Sequence, residues 1–451
     1  MRPFVSRHFA AHLRTLHARY DRIFGIAEIQ GNPVLQLSFG ASLLGFFITF
    51  FTWIQSSSIT IEDYLTGKAV CWPYFQECHR LFFFHDLDVD YSRSIFYMVL
   101  YGAMLLVAWA ILRRRWSLAH ALLTILFAWT SLVAFALAYS VTAPYYYYHL
   151  FLTAILLFLP HKEYFMKVAF VVFYFLSATV KFDDTWILGT YFTSLKSGLP
   201  LFPDGLTPLL TNIVIFSQVV GCWFLLSKQR VVQRISVAFF TFFHLYSGVF
   251  VYYLYPTMAI VPLLILFGPL YRHTATPHTR KAIWGWAFIA LLFVFQGLGF
   301  ITPGDRRLSL EGNRFGMFMF DANHQCGITA DIHRARGDVD RAAPGWELPR
   351  GASCSLLYCK VKERTRIEGD HLITTERYES NSALYRCDPY EWWTRYTTLC
   401  KQDNRVQKVA LTLDHSINGG PFYRVVDSQN ICDESYVLFK HNGDGHINLS
   451  N

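Results

Sequence analysis

Charge is scarce in this 451-residue chain: only 16% of its residues are Asp, Glu, Lys or Arg, against 53% hydrophobic and 18% aromatic. That balance excludes an ordinary soluble domain and points to an integral membrane protein. Cysteine pairs at zinc-knuckle spacing are missing as well. No C-x-x-C occurs, and Cys354-x4-Cys359 has no partner knuckle, so no metal is expected. Residues 1–34 lack a sustained apolar core, which argues against a cleavable signal peptide. They read instead as an Arg-rich amphipathic helix, Phe4 to Ile26, lying on the inner membrane surface. No internal repeat or low-complexity segment occurs.

What is present is apolar sequence in long runs. Hydropathy marks nine candidate spans, at about 35–54, 94–112, 117–139, 145–160, 164–187, 207–227, 235–254, 255–271 and 282–301. Pro256 marks a turn or break between the seventh and eighth, which no polar loop separates. Basic residues fill alternate connections: five arginines before the first span, Arg113-Arg114-Arg115, Lys162 with Lys167, Lys228-Arg230-Arg234, and Arg272-Arg280-Lys281. Arginine and lysine resist translocation, so these connections are expected in the cytoplasm together with the N-terminus. They also account for the net charge of +8 without a nucleic-acid partner.

Nine spans from an inner N-terminus place residues 302–451 outside. Cys71, Cys78, Cys326, Cys354, Cys359, Cys387, Cys400 and Cys432 all fall on that side, while Cys222 lies within a span. Eight cysteines in an oxidising compartment are disulfide candidates, with the connectivity open. The sequence changes character near Phe300-Ile301-Thr302-Pro303-Gly304. Beyond it, the alternation of Val406 to Leu413, then Asn418-Gly419-Gly420, then Tyr423 to Val426, predicts a β-hairpin. The fold expected is an α-helical polytopic membrane protein of about nine spans. It carries an interfacial segment, 1–34, a transmembrane domain, 35–301, and a small extracytoplasmic β-rich domain, 302–451, stapled by disulfides.

Lys181 is the first chemical candidate. It follows 13 largely apolar residues, Val168 to Val180, too few to cross a bilayer. Either the helix is short and Lys181 snorkels, or it continues through Trp186-Ile187-Leu188 and carries an ammonium within the membrane. His149, after Tyr145-Tyr146-Tyr147-Tyr148, lies at the outer end of the fourth span and is expected to share a cavity with Lys181. Such a pair suits proton transfer, because a low dielectric disfavours the ammonium and leaves a usable amine. His244, within the seventh span, is a third candidate, although hydrogen bonding between helices is the ordinary use of such a residue. The tyrosines suit an interfacial belt or the wall of a pocket for a flat ring, with Tyr147, Tyr148 and Trp186 the candidates for holding a cofactor.

Several stretches resemble the vitamin K-dependent γ-glutamyl carboxylase and its bacterial relatives, the horizontally transferred transmembrane domain family. Val180-Lys181-Phe182-Asp183-Asp184-Thr185-Trp186 is similar to that family's Lys-Leu-Asp-x-Asp-Trp segment. His149-Leu150-Phe151-Leu152, Phe243-His244 and Tyr255-Pro256-x-Met258 resemble further family motifs in the same order. Cys71-Trp72-Pro73 looks like a loop whose cysteine is bridged to the outer domain in the animal enzyme. Ser416-Ile417-Asn418-Gly419-Gly420-Pro421-Phe422 resembles a segment near the end of the bacterial relatives. The likeness covers roughly residues 60–320, apart from that last segment. Phe315-Gly316-Met317 lacks the tryptophan many relatives carry, and the outer domain is far smaller than the animal enzyme's.

The resemblance implies a chemistry. Lys181 would deprotonate a reduced quinone, vitamin K or menaquinone, whose reaction with O2 supplies a base strong enough to remove a γ-hydrogen from glutamate. CO2 would then add, with His149 assisting, and a quinone epoxide would leave. A glutamate-containing protein or peptide is the implied substrate, and the bacterial inner membrane the implied location. The alternative is a non-enzymatic member of the family that binds lipid or a protein partner, as an immunity or assembly factor. A desolvated lysine facing a histidine would favour the enzyme.

Overall fold

The computed structural model describes residues 2–65, 70–72, 78, 88–137, 139, 144–194, 198–251, 254–301, 305–310, 316–335, 353–354, 359–380, 387–436 and 447–448. Pro73, the boundary residues 302–304 and Phe315 lie outside them, as do the side chains of Tyr145, Cys354 and Cys359.

The helices are α1 (Arg2–Phe24), α2 (Ile26–Gln30), α3 (Pro33–Leu65), α4 (Val89–Leu112), α5 (Trp116–Leu132), α6 (Pro144–Phe158), α7 (Lys162–Thr179), α8 (Asp184–Ile187), α9 (Thr190–Thr193), α10 (Thr207–Val219), α11 (Arg230–Phe250), α12 (Leu254–Phe267), α13 (Ala282–Leu298), α14 (Arg306–Ser309) and α15 (Pro389–Gln402). The strands are β1 (His324–Ala335), β2 (Ser353–Cys354), β3 (Cys359–Glu368), β4 (His371–Ser380), β5 (Val406–Ile417), β6 (Phe422–Ser428) and β7 (Ile447–Asn448). The chain divides into two compact units, one of residues 1–65, 71–178 and 216–294, the other of 66–70, 179–215 and 295–451.

The first unit is helical. Among the described residues, Pro33–Trp53, Asp90–Leu112 and Trp116–Phe135 are long and apolar enough to cross a membrane, and Tyr146–Phe158, Tyr255–Phe267 and Ala282–Leu298 are shorter apolar helices. Helix α4 shows the pattern. Phe96, Leu100, Met104 and Val107 are buried on one face, while Met98, Leu105, Trp109 and Leu112 are exposed on the other. A helix apolar on both faces suits a hydrocarbon surrounding. Asp88 starts α4 by accepting from Asp90 N, and Arg114, at φ 55°, turns the chain after it. Helix α11 ends at Phe250, and Pro256 sits in the first turn of α12, where its missing N–H costs nothing.

The run holding Lys181 is two short helices. Helix α7 stops at Thr179, and Asp183, extended at φ −139° and ψ 163°, accepts from the amides of Thr185 and Trp186 to start α8. An N-cap in mid-run prevents continuation, so Lys181 occupies the turn between two helices.

The second unit holds an antiparallel seven-stranded sheet in the order β2-β3-β4-β1-β5-β6-β7. Along β1, Cys326, Ile328, Ala330 and Ile332 alternate inward, and β5 places Leu413, Leu411 and Val409 opposite Ile328, Ala330 and Ile332. Helix α15 packs on β5, and Trp392 and Tyr396 enter the sheet's core. The predicted hairpin is β5–β6, closed through Asn418 and Gly419 at φ 53° and 74°. Cys326–Cys387 joins β1 to the start of α15, and Cys400–Cys432 joins its end to the segment after β6. Of the pairings left open, Cys71 takes the local one with Cys78, seven residues on, with their Cα atoms 5.6 Å apart, unlike the animal enzyme's bridge to its outer domain. Cys354 and Cys359 are register partners in β2 and β3. Cys222 is a buried free thiol.

Candidate functional site

The three titratable candidates fall in different units. His149 and His244 belong to the first, Lys181 to the second.

His149, on α6, is buried against α3. Its Nε2 lies 2.9 Å from the Ser42 carbonyl, so Nε2 carries the proton, and the ring stands edge-on to Phe46 at 4.3 Å. Gly45 permits the approach, since a Cβ there would come within 2.4 Å of His149 Cδ2. Nδ1 is buried and meets no donor. His244, on α11, hydrogen-bonds through Nε2 with the Tyr174 hydroxyl, and its Nδ1 is likewise unpartnered. Tyr148 and Tyr255 share a hydrogen bond of 2.8 Å nearby, and the Tyr255 ring lies 5.6 Å from that of His244. Tyr146, Tyr147 and Tyr148 are all buried, so these three line the interior of the unit and form no outward belt. Both imidazoles thus join helices through one nitrogen; His149 presents a lone pair at Nδ1, and His244 an unpartnered Nδ1.

Lys181 is 3% exposed, with Nζ 5.3 Å from the centre of the Trp186 ring. The ring is held on two sides: Trp186 Nε1 donates to the Phe320 carbonyl at 2.6 Å, and Tyr191 stacks on it at 5.0 Å. The segment 183–192 is in turn fastened to the strand ends. Asn323 Nδ2 donates to the Tyr191 carbonyl at 2.5 Å and Asn418 Nδ2 to Thr185 Oγ1 at 3.2 Å. Asn323 N donates to Asn418 Oδ1 at 2.8 Å, and Asn418 N to the Asn323 carbonyl at 2.9 Å. The hairpin turn that the sequence predicts is therefore also a clamp on the lysine segment.

Asp321, 6% exposed, follows Phe320, whose φ of 57° is unusual for a residue with a Cβ. Its carboxylate is the opposing charge felt by Lys181, and Arg306 feels it too. Arg307 ties the cluster further. It forms ion pairs with Asp183 at 3.1 Å and with Asp305 at 2.9 Å. Behind it, His415 Nδ1 donates to the Leu308 carbonyl at 2.8 Å, so its Nε2 accepts from His324 Nδ1 at 3.0 Å. Burial pushes the His415 imidazole down to about 3, and neighbouring His324 adds to the effect. Among the described residues no group of three or more His, Cys, Asp or Glu side chains is arranged to hold a metal.

Asp321, Arg306, Arg307, Asn323 and His415 were not legible as site residues. Arg306 and Arg307 carry one signal, a charged pair shortly after the last apolar run; Asp321 carries none. Comparisons with protein-family models, with curated proteins and with solved structures find no match to this chain.

Proposed function

We propose that this protein is a membrane enzyme of the quinol-dependent carboxylase and epoxidase type, with Lys181 as its base. The observation that carries the reading is Lys181 itself. A buried amine held over a fixed indole, with one buried carboxylate as its opposing charge, is positioned as a proton-transfer group is. The reduced quinone, vitamin K or menaquinone, would supply the reducing equivalents that activate O2, and CO2 would be the second co-substrate. This chain's part is to take the quinol proton at Lys181 Nζ and, through the open Nδ1 of His149, to assist a later carboxylation of a glutamate-containing peptide. Trp186, beside Lys181, is the flat surface proposed to receive the ring; Tyr147 and Tyr148 are the candidates for that part in the first unit, where His244 is the third polar residue proposed. Nine spans, a cytoplasmic N-terminus and an extracytoplasmic C-terminal domain in a bacterial inner membrane complete the proposal. A C-terminal reporter found in the cytoplasm would overturn that topology.

Purified protein supplied with reduced menaquinone or phylloquinone, O2, bicarbonate and a glutamate peptide tests the chemistry, with epoxide and carboxylated peptide followed by mass spectrometry. Lys181→Ala should lower epoxide formation by about 100-fold to 10,000-fold, the usual contribution of a general base. His149→Ala should keep epoxidation and lose carboxylation. Equal epoxide from wild type and Lys181→Ala would remove the assignment.

One observation favours the non-enzymatic alternative, a lipid- or protein-binding membrane factor. His149 and His244 each already have an interhelical hydrogen bond, which is sufficient reason for a histidine in such a place. No turnover by wild type across several quinones would move the choice to that reading.

A further inference from the structure

We infer that Arg306 is a binding site for the carboxylate of an external, singly charged ligand. The guanidinium rests on two rings, 4.1 Å from the centre of Phe300 and 5.0 Å from that of Phe318. The two ring centres are themselves 5.6 Å apart, so both rings lie to one side of the guanidinium. Its N–H edge is another matter: Arg306 donates no hydrogen bond and forms no ion pair among the described residues, and its Nε is buried without a partner. A half-buried guanidinium that donates nothing is costly, because its N–H groups lose water and gain no acceptor. Arg307, one residue on, has both Asp183 and Asp305, so the neighbouring carboxylates are already engaged. With Nε buried, the two terminal amino groups are the donors left for a ligand.

The charge balance bears on the ligand class. With Lys181 as the free amine a base must be, Arg306 and Arg307 face Asp183, Asp305 and Asp321, two against three. A dianionic phosphate would leave the cluster three charges negative beside Asp321; a monocarboxylate leaves it two, so the singly charged ligand is the less costly one. The planar fork of the guanidinium also favours a planar, two-oxygen acceptor. This assignment deepens the lysine-centred reading above and takes its probe from it, since that reading requires a glutamate side chain as substrate.

The test is a binding measurement, separate from turnover. Full-length protein in lipid nanodiscs would be titrated calorimetrically with a short acetylated, amidated peptide containing one glutamate, with its glutamine counterpart, and with inorganic phosphate. Wild type should bind the glutamate peptide at least about tenfold more tightly than the glutamine peptide, a difference of about 1.4 kcal/mol. Arg306→Gln should erase that preference. Lys181→Ala should retain it, so loss of the base and loss of the carboxylate site are read separately: epoxidation surviving in Lys181→Ala would sink the base and leave this site standing. Equal affinities for the two peptides, a preference that survives Arg306→Gln, or displacement of the glutamate peptide by equimolar phosphate would each overturn the inference. Where Arg306→Gln does not fold, Arg306→Lys is read in its place, and wild-type affinity in that variant would overturn the requirement for a planar fork.

Discussion

Buried cations are treated differently in the two units. In the first, Lys162 donates to the carbonyls of Leu157 and Leu159, each at 3.1 Å, with its own amide on Glu28. Lys167 pairs with Glu163, donates to the Arg272 carbonyl at 2.7 Å and lies 4.7 Å from the Tyr271 ring centre. Each of these lysines is answered by fixed acceptors, so each holds helices and backbone together. In the second unit Arg306 rests on two rings and has Asp321 as an opposing charge but donates no hydrogen bond among the described residues, and Lys181 sits over an indole that other residues hold in place. A cation whose donors end on its own fold is structural. Arg306, which donates no hydrogen bond among the described residues, points to something that is not part of the chain.

That contrast can be broken most strongly at the disulfides. Cys326–Cys387 closes 61 residues in the second unit, whereas Cys71–Cys78 closes seven in the first. Chain entropy makes the first bridge worth about 4 kcal/mol and the other about 2 kcal/mol. Replacing Cys326 and Cys387 by alanine should therefore raise amide exchange through β1, β5 and α15 far more than the Cys71 and Cys78 replacements raise it in the helices, read by hydrogen-exchange mass spectrometry. Similar increases in both would show that the second unit stands on its core without the bridge.

The next effect is the acid sensitivity that His415 gives the second unit. His415 is held down to about 3 in the folded state, while the unfolded side chain titrates near 6.5. The unfolded chain thus takes up the proton first as pH falls. Stability is complete above about 6.5 and declines toward 3, with about 2 kcal/mol lost at pH 5. Asp305 and Asp388 oppose this shift but do not reverse it. Urea midpoints followed by tryptophan fluorescence should fall between pH 6.5 and 5 in wild type and stay flatter in His415→Gln; parallel slopes would exclude His415 as the source.

The smallest expected change is at the support of Lys181. Trp186→Phe keeps a ring but removes the donor to the Phe320 carbonyl, a loss of about 1 kcal/mol. Epoxidation should persist at a reduced rate. Full loss of epoxide with an unchanged unfolding midpoint would show that the indole takes part in holding the quinone, which sharpens the distinction between supporting and contacting groups.

Much of this fold is periodic, and periodicity is what a sequence displays. The apolar runs became helices, the alternation of Val406 to Leu413 became β5, and Asn418-Gly419 closed the hairpin because those residues tolerate positive φ. Lys181 stood out because an ammonium is conspicuous in apolar sequence. Its surroundings did not. Whether the helix ran on past Thr179 depended on one Asp183 side chain bonding the amides of Thr185 and Trp186, a competition between caps and helix that hydropathy does not register. Asp321, Asn323, His415 and Asn418 lie well over a hundred residues from Lys181 in the chain, and no local pattern marks them. Composition and spacing determined that this is an apolar helical protein with a cysteine-rich β domain and one misplaced lysine. Which carboxylate and indole that lysine meets, and that Arg306 meets no hydrogen-bond acceptor among the described residues, only the tertiary structure decided, because such contacts are set by side-chain geometry between segments distant in sequence.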